Sequence, residues 1–330
     1  MKGWMRGLGL GTLLGLTLAA GVGSLSGVAA SASSSTQLAN VACAGSLQLV
    51  MDQYVGPAFS TATGYQYQVT AMGSLGLAQE IVAGEVTPNV FIPVGEAPMA
   101  LLEPKFTTWA LQFAGSPLVV AYYPKGPYAS ELRQIAKGQL PILNLFNLMA
   151  SPGFRLGRTD PAVDPQGQAF EMMIKLAEKD LGVPAAVGLA DLGGANGSSQ
   201  IFSETALEPT LQAGELDAAS AYLPQAVQLG LPYIALPSSI DFGDPADAKD
   251  YAKVSVTIAP GQVAHGSLLT LEASVLKGSD PAAATAFVAF LLSSKGQHLL
   301  TKEGYMLLKP TLLGQASAVP RSIRQAVQKG

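Results

Sequence analysis

Between residues 38 and 102, strand-like and helix-like runs alternate three times in a row, and this alternation restricts the chain to an α/β fold. Residues 38–44 form a short apolar run that reads as a buried strand, and Gly45-Ser46 is a turn. Leu47, Val50, Met51 and Tyr54 then recur at helical spacing. Tyr65, Tyr67 and Val69 alternate with polar residues as a strand does. Gly73-Ser74 is a second turn, and Leu77, Ile81 and Val82 share one face of the helix after it. Residues 89–94 are a third strand, and Pro98 suits the first turn of a helix continued by Met99 and Leu102. A βαβαβ order of this kind predicts a mostly parallel sheet.

The same grammar returns further on. Residues 118–123 are a strong strand between Gly115-Ser116-Pro117 and Pro124-Lys125-Gly126. The sequence then predicts a helix at 129–137, a polar loop at 157–167, a helix from Gln168 to Leu181, a helix at 204–213 and a strand at 217–222. Gly193 to Ser199 reads as a surface loop, because no Lys-Ser/Thr follows to make it a phosphate cradle. Further strands are expected at 233–236 and 254–258, then an alanine-rich helix at 281–293. The tail from 297 reads as helical pieces broken at Pro310. Two α/β units joined by more than one crossing segment imply two lobes with a cleft between them. Lobe 1 is expected at 38–115 and 233–330, and lobe 2 at 116–232. Ligands of such folds bind at the carboxyl ends of strands and at helix N-termini.

The chain before residue 38 is read as processing signal rather than fold. Lys2 and Arg6 precede an apolar, uncharged run from Gly7 to Val28, and Ala30-Ser31-Ala32 offers a small-x-small cleavage site. Residues 1–32 are therefore expected to be a signal peptide, cleaved or retained as an anchor, with 33–37 a flexible segment. Either way the body is exported, to the periplasm or the cell surface. The full chain's net charge of −4, with no basic run, argues against a nucleic-acid partner. Cys43 is the only cysteine, so an intramolecular disulfide and a thiolate metal cluster are excluded. Its neighbours Leu38, Val41 and Leu47 make it a buried strand residue rather than a lipidation site.

A few residues carry chemistry. Ser46 and Ser74 each follow a glycine between a strand and a helix, where a serine caps the helix and a glycine admits close approach. Either serine alone reads as a plain N-cap. Two such units in one sheet bring hydroxyl and N–H donors to one point, enough to hold an oxyanion without a formal cation. The run 157–167, Gly-Arg-Thr-Asp-Pro-Ala-Val-Asp-Pro-Gln-Gly, is stiffened by two Asp-Pro pairs and opens into a helix. Asp160 reads as an Asx-turn residue, and Asp164 as either a helix cap or a ligand. Tyr222 ends a strand, where it either packs or presents its hydroxyl to the cleft. His265 and His298 have no nucleophile or metal-ligand spacing near them, and no G-x-S-x-G, P-loop or G-x-G-x-x-G is found. No enzyme activity is expected.

These pieces together resemble the substrate-binding proteins of tungstate/molybdate ABC transporters, in their archaeal-type tungstate-binding branch. The matching segments lie in one order: Ala44-Gly45-Ser46-Leu47, Gly73-Ser74, residues 113–122 (FAGSPLVVAY), the 157–167 run, Gly214-Glu215-Leu216-Asp217 with Tyr222, 253–256 and 287–297. The resemblance covers about residues 38–320, and the G-R-[ST]-D-P-x-x-D-P-x-G run is its most specific item. It implies a two-lobed, type II periplasmic-binding-protein fold of the venus-flytrap kind, with mostly parallel or mixed sheets and two crossover segments. It also implies a monomer that hands an oxyanion to an ABC permease and needs no cofactor beyond that ligand. Gly45, Ser46, Gly73 and Ser74 match the turns that donate to the anion, and Ser116 occupies a cleft-facing turn. Asp164 matches the aspartate that coordinates the metal at the oxyanion centre, and Tyr222 a tyrosine near the pocket. One departure stands out. The branch has a glutamate immediately before that tyrosine, where this chain has Ala221, so six-coordination by two carboxylates is not expected. Molybdate or tungstate is the first solute, with phosphate, another oxyanion or a small organic acid as the alternative.

Overall fold

The computed structural model describes residues 37–193, 199–278 and 280–328. The expected signal peptide at 1–32, the segment 33–36 and residues 194–198 of the glycine-rich loop lie outside the described residues.

The first sheet has six strands. β1 (Leu38–Ala44) pairs in parallel with β2 (Gln66–Met72) on one side and with β3 (Val90–Ile92) on the other. β4 (Trp109–Gly115) belongs to the same sheet, and β5 (Leu118–Tyr122) leaves it. A second sheet holds five strands in the order β7-β6-β8-β5-β9, with β6 (Leu156–Thr159), β7 (Ile201–Phe202), β8 (Ala218–Tyr222) and β9 (Tyr233–Ala235). β10 (Ser255–Ala259) and β11 (Gln262–His265) form a separate antiparallel pair. β12 (Thr270–Val275) and β13 (Met306–Gly314) return to the first sheet, whose order is β13-β4-β12-β3-β1-β2. Parallel β1, β2 and β3 are extended by β12 and β13, which run the other way, and by β4, which lies between those two and runs with the first three, so the sheet is mixed.

Burial follows strand position. β1 is central, and Val41, Ala42, Cys43 and Ala44 are all buried, which is why it reads as an unbroken apolar run. β2 lies at the edge, and its residues alternate between exposed and half-buried. Helices cover the sheets. Phe287, in the helix Pro281–Leu291, meets Phe59 edge to face at 4.9 Å between ring centres, a contact worth about 1 kcal/mol beyond the area it buries.

Two segments fold differently from the sequence reading. The tail is not only helical pieces. Between the helices Ser294–Lys302 and Arg321–Val327 runs the strand β13, with Pro310 inside it. A proline cannot donate to a ladder, but β13 is an edge strand and its pairing with β4 shifts register between Leu307 and Thr311. Pro310 sits in that irregularity, where its missing N–H costs nothing. The strand at 233–235 pairs with β5 of the second sheet, so strands return to the first sheet at Thr270 rather than at 233. The backbone passes between the sheets at 115–118 and again between Ala235 and Thr270. Among the described residues, no helix is long and apolar enough to cross a membrane.

Candidate functional site

The parallel pairing of β1 and β2 aligns Ala44 with Met72. The Gly45-Ser46 and Gly73-Ser74 turns therefore leave the sheet side by side at the same edge. The second sheet's half approaches both glycines closely, with a side-chain end at Gly45 and a backbone carbonyl, which cannot step aside, at Gly73. A Cβ on Gly45 would lie 2.8 Å from Glu204 Oε2, and one on Gly73 would lie 2.9 Å from the Val163 carbonyl oxygen. The backbone donors here point across. Gly45 N–H donates to Glu204 Oε2 at 2.8 Å and Ser46 N–H to Glu204 Oε1 at 2.9 Å. Leu75 and Gly76 N–H groups both donate to the Val163 carbonyl, at 3.1 and 3.0 Å. Neither serine caps its helix through its side chain. Ser74 Oγ accepts from Val94 N–H at 3.2 Å, whereas Ser46 Oγ is buried and has no partner.

The 157–167 run is not loop throughout: its first three residues lie in β6, its last three open the helix Pro165–Leu176, and only 160–164 between them form the loop whose Val163 carbonyl meets the second turn. Asp160 Oδ1 accepts from Ala162 N–H at 2.9 Å, the Asx turn expected from the sequence, and the Asp160 carbonyl accepts from Asp164 N–H at 2.9 Å. Asp164 is the N-cap of the helix Pro165–Leu176, and its Oδ1 accepts from Gln166 N–H at 2.8 Å. Its other oxygen, Oδ2, is buried without a partner. One oxygen thus caps the helix, and the other makes no hydrogen bond although the Thr159 hydroxyl is near. Gly167 closes the loop back onto itself, because a Cβ there would lie 2.4 Å from the Thr159 carbonyl oxygen. Arg158, the cation of the run, turns away and pairs with Glu171 at 3.0 Å.

Tyr222, the last residue of β8, is fully buried and its hydroxyl has no partner. Its N–H donates to Gln225 Oε1 at 3.0 Å, which also accepts from Gln166 Nε2 at 3.0 Å, while Gln166 Oε1 accepts from Ser220 Oγ at 2.9 Å. This chain of amides fixes Tyr222 against the start of the Asp164 helix. Strand alternation sends Ala221 to the opposite face, into an apolar cluster with Val119, Leu207 and Leu211. Ser116 lies at the first crossing; its N–H donates to the Leu269 carbonyl at 2.8 Å and its buried hydroxyl has no partner. Thr159 and Thr270 carry two more such hydroxyls.

The sequence reading treated Asp164 as a carboxylate without a partner. The structure supplies one: Glu204, the first residue of the helix Glu204–Gln212, with Glu208 one turn on. Both are buried. Burial is the first cause that raises the Asp164 pKa to about 7, with the Gln166 N–H bond and the nearby Thr159 hydroxyl pulling it back. Burial and then Asp164 push Glu204 well above the usual carboxylate range, against the Ser46 N–H bond and the nearby Ser46 hydroxyl, which pull it back. Glu208 rises to about 8, again mainly through burial, with Asp164 adding to it. The Tyr222 hydroxyl is raised by burial and by all three carboxyls. Carboxyls interacting in this way share protons, and Glu204, both of whose oxygens accept N–H bonds, is the member those bonds favour as the charged form. Among the described residues, no group of three or more histidine, cysteine, aspartate or glutamate side chains is arranged to hold a metal ion. Nothing in the sequence marked Glu204. An acid just after Ser203 at a helix start is what the helix dipole alone favours.

Gly45 and Ser46 thus bond to Glu204, Gly73 packs against Val163 and Asp164, and Asp164 and Tyr222 interact electrostatically with Glu204. Ser74 sits beside its sister turn, engaged with Val94, and Ser116 lies at the crossing.

Comparison with known proteins agrees with this architecture. Residues 39–306 match the family described as bacterial extracellular solute-binding protein. A Haloferax volcanii protein, provisionally assigned as an ABC transporter molybdenum-binding protein, is 31% identical over 261 residues, 79% of each chain. The molybdate/tungstate-binding protein WtpA of Pyrococcus abyssi is 28% identical over 81% of this chain and 79% of its own length. Among solved structures, the periplasmic molybdate-binding protein of Azotobacter vinelandii superposes with a TM-score of 0.57 at 17% identity, covering 82% of this chain and 99% of its own. The sulfate-binding protein SubI of Mycobacterium tuberculosis superposes with a TM-score of 0.51 at 13% identity, covering 89% and 91%. These two likenesses speak for the two-lobed fold and not for the anion.

Proposed function

The chain belongs to the bacterial extracellular solute-binding protein family, and on that footing we propose that it captures molybdate or tungstate between its two sheets and passes it to an ABC permease. On this reading it binds and releases its solute unchanged, outside the cytoplasm, and is not an enzyme. The observation that carries the choice is a set of buried oxygens. Ser46 Oγ, Asp164 Oδ2 and the Tyr222 hydroxyl have no protein partner, and they belong to the elements that meet at the paired Gly-Ser turns. A buried polar atom left unpaired costs about 1–3 kcal/mol, so three on elements that meet at one place support a polar ligand there. The relatives named for molybdenum, molybdate or tungstate support the same choice.

The residues divide the work by chemistry. Hydroxyls of Ser46, Ser74 and Tyr222 and the turn amides donate to the anion's oxygens, in a site where burial strengthens each bond. Asp164 cannot face a dianion as a free carboxylate; it takes part either by coordinating the metal centre through Oδ2 or by carrying a proton. Closure of one half on the other buries the anion from both sides. Calorimetry against molybdate, tungstate, sulfate and phosphate tests the assignment. Saturable binding of the first two, tighter than the last two, is the expected result.

A further inference from the structure

Glu204 occupies an unusual position for an acid. It belongs to the second sheet's half, yet both its oxygens are held by the first half, through Gly45 N–H and Ser46 N–H at 2.8 and 2.9 Å. These are the amides of the turn that faces the unpartnered Ser46 and Tyr222 hydroxyls and Asp164 Oδ2. A carboxylate bound by two adjacent N–H groups satisfies them as an oxyanion would. An anion arriving at this turn therefore meets a carboxylate already holding both amides and must compete with it for them.

We propose that Glu204 is a tethered internal anion, which competes with the solute for the Gly45 and Ser46 amides and latches the two halves together. The proposal rests on the oxyanion reading of the site given above. It concerns Glu204 rather than Asp164 for a structural reason. Asp164 is locked as a helix cap, with its own N–H and its Oδ1 both bonded within the loop. Glu204 has a longer side chain, and its oxygens are anchored only across the interface. A cavity of about 270 Å³, lined by Gly45, Ser46, Gln48, Glu204, Thr205 and Glu208, borders it and gives the carboxylate somewhere to swing. Displacing Glu204 frees both amides for the solute and removes a negative charge from its side. The latch sets a threshold: only an anion that outbids an intramolecular carboxylate for the two amides closes the protein productively.

The test uses Glu204→Gln and Glu204→Ala in the full-length protein. Tungstate affinity is measured by calorimetry at pH 8. Both variants are expected to bind at least about tenfold tighter than the parent, roughly the effect of removing one charged competitor. Unchanged affinity overturns the proposal. So does weaker binding, which would make the carboxylate a ligand of the bound solute. If neither the parent nor the variants bind tungstate or molybdate, the solute assignment fails, and the latch is decided by small-angle scattering without any oxyanion. A larger radius of gyration in Glu204→Ala than in the parent upholds the latch; equal radii overturn it.

Discussion

At the scale of single residues, the site is a problem of unpaired atoms. Asp164 Oδ2 and the Tyr222 hydroxyl are buried with nothing of the protein to bond. Tyr222→Phe removes one donor to a charged ligand and is expected to weaken tungstate binding about tenfold or more, read by calorimetry. Asp164→Ala is expected to weaken it more than Ser46→Ala does, because it loses both the Oδ2 contact and the cap that aligns the loop. Equal effects would reduce Asp164 to a cap. Much of this was legible in the sequence: Gly-Ser turns after strands and Asp164 after two Asp-Pro pairs are local signals. The role of the glycines was not, since the atoms that crowd Gly45 and Gly73 belong to residues more than 85 positions away. Glu204 was invisible for the same reason. Its partners are 158 and 159 positions distant, and helix-start acids are common.

At the scale of elements, the 157–167 loop is held by backbone packing as much as by its prolines. Gly167 abuts the Thr159 carbonyl and the Pro161 nitrogen, so a methyl group has no flexible neighbour to push aside. Gly167→Ala is therefore expected to cost at least about 1–3 kcal/mol and to lower Tm measurably in a thermal melt. An unchanged Tm would show that the loop can shift. The alternating strands and helices of the first sheet were readable because β1 is buried on both faces and β2 alternates. β13 was not, because a proline argues against a strand until its place at a sheet edge is known. The membership of β9 was likewise set by its partner β5 and not by its own residues.

At the scale of the whole molecule, the acid cluster ties stability to pH. The folded pKa values of Asp164 and Glu208, about 7 and about 8, lie above the unfolded carboxyl range of roughly 4. Between those limits the folded chain binds more protons than the unfolded one, so stability falls as pH rises. Tm is expected to decline between pH 5 and pH 8, with a shallower decline in Glu208→Gln; a Tm that climbs over this interval would contradict the picture of crowded, partly protonated carboxyls. The two-sheet architecture makes the same cluster a meeting point of the two halves, where the proposed solute site lies. The most direct measurement of the central claim is calorimetry of the purified protein with molybdate, tungstate, sulfate and phosphate in parallel. The account predicts saturable one-to-one binding of tungstate and molybdate, tighter than sulfate or phosphate. Tight binding of sulfate or phosphate with no response to tungstate or molybdate would contradict it.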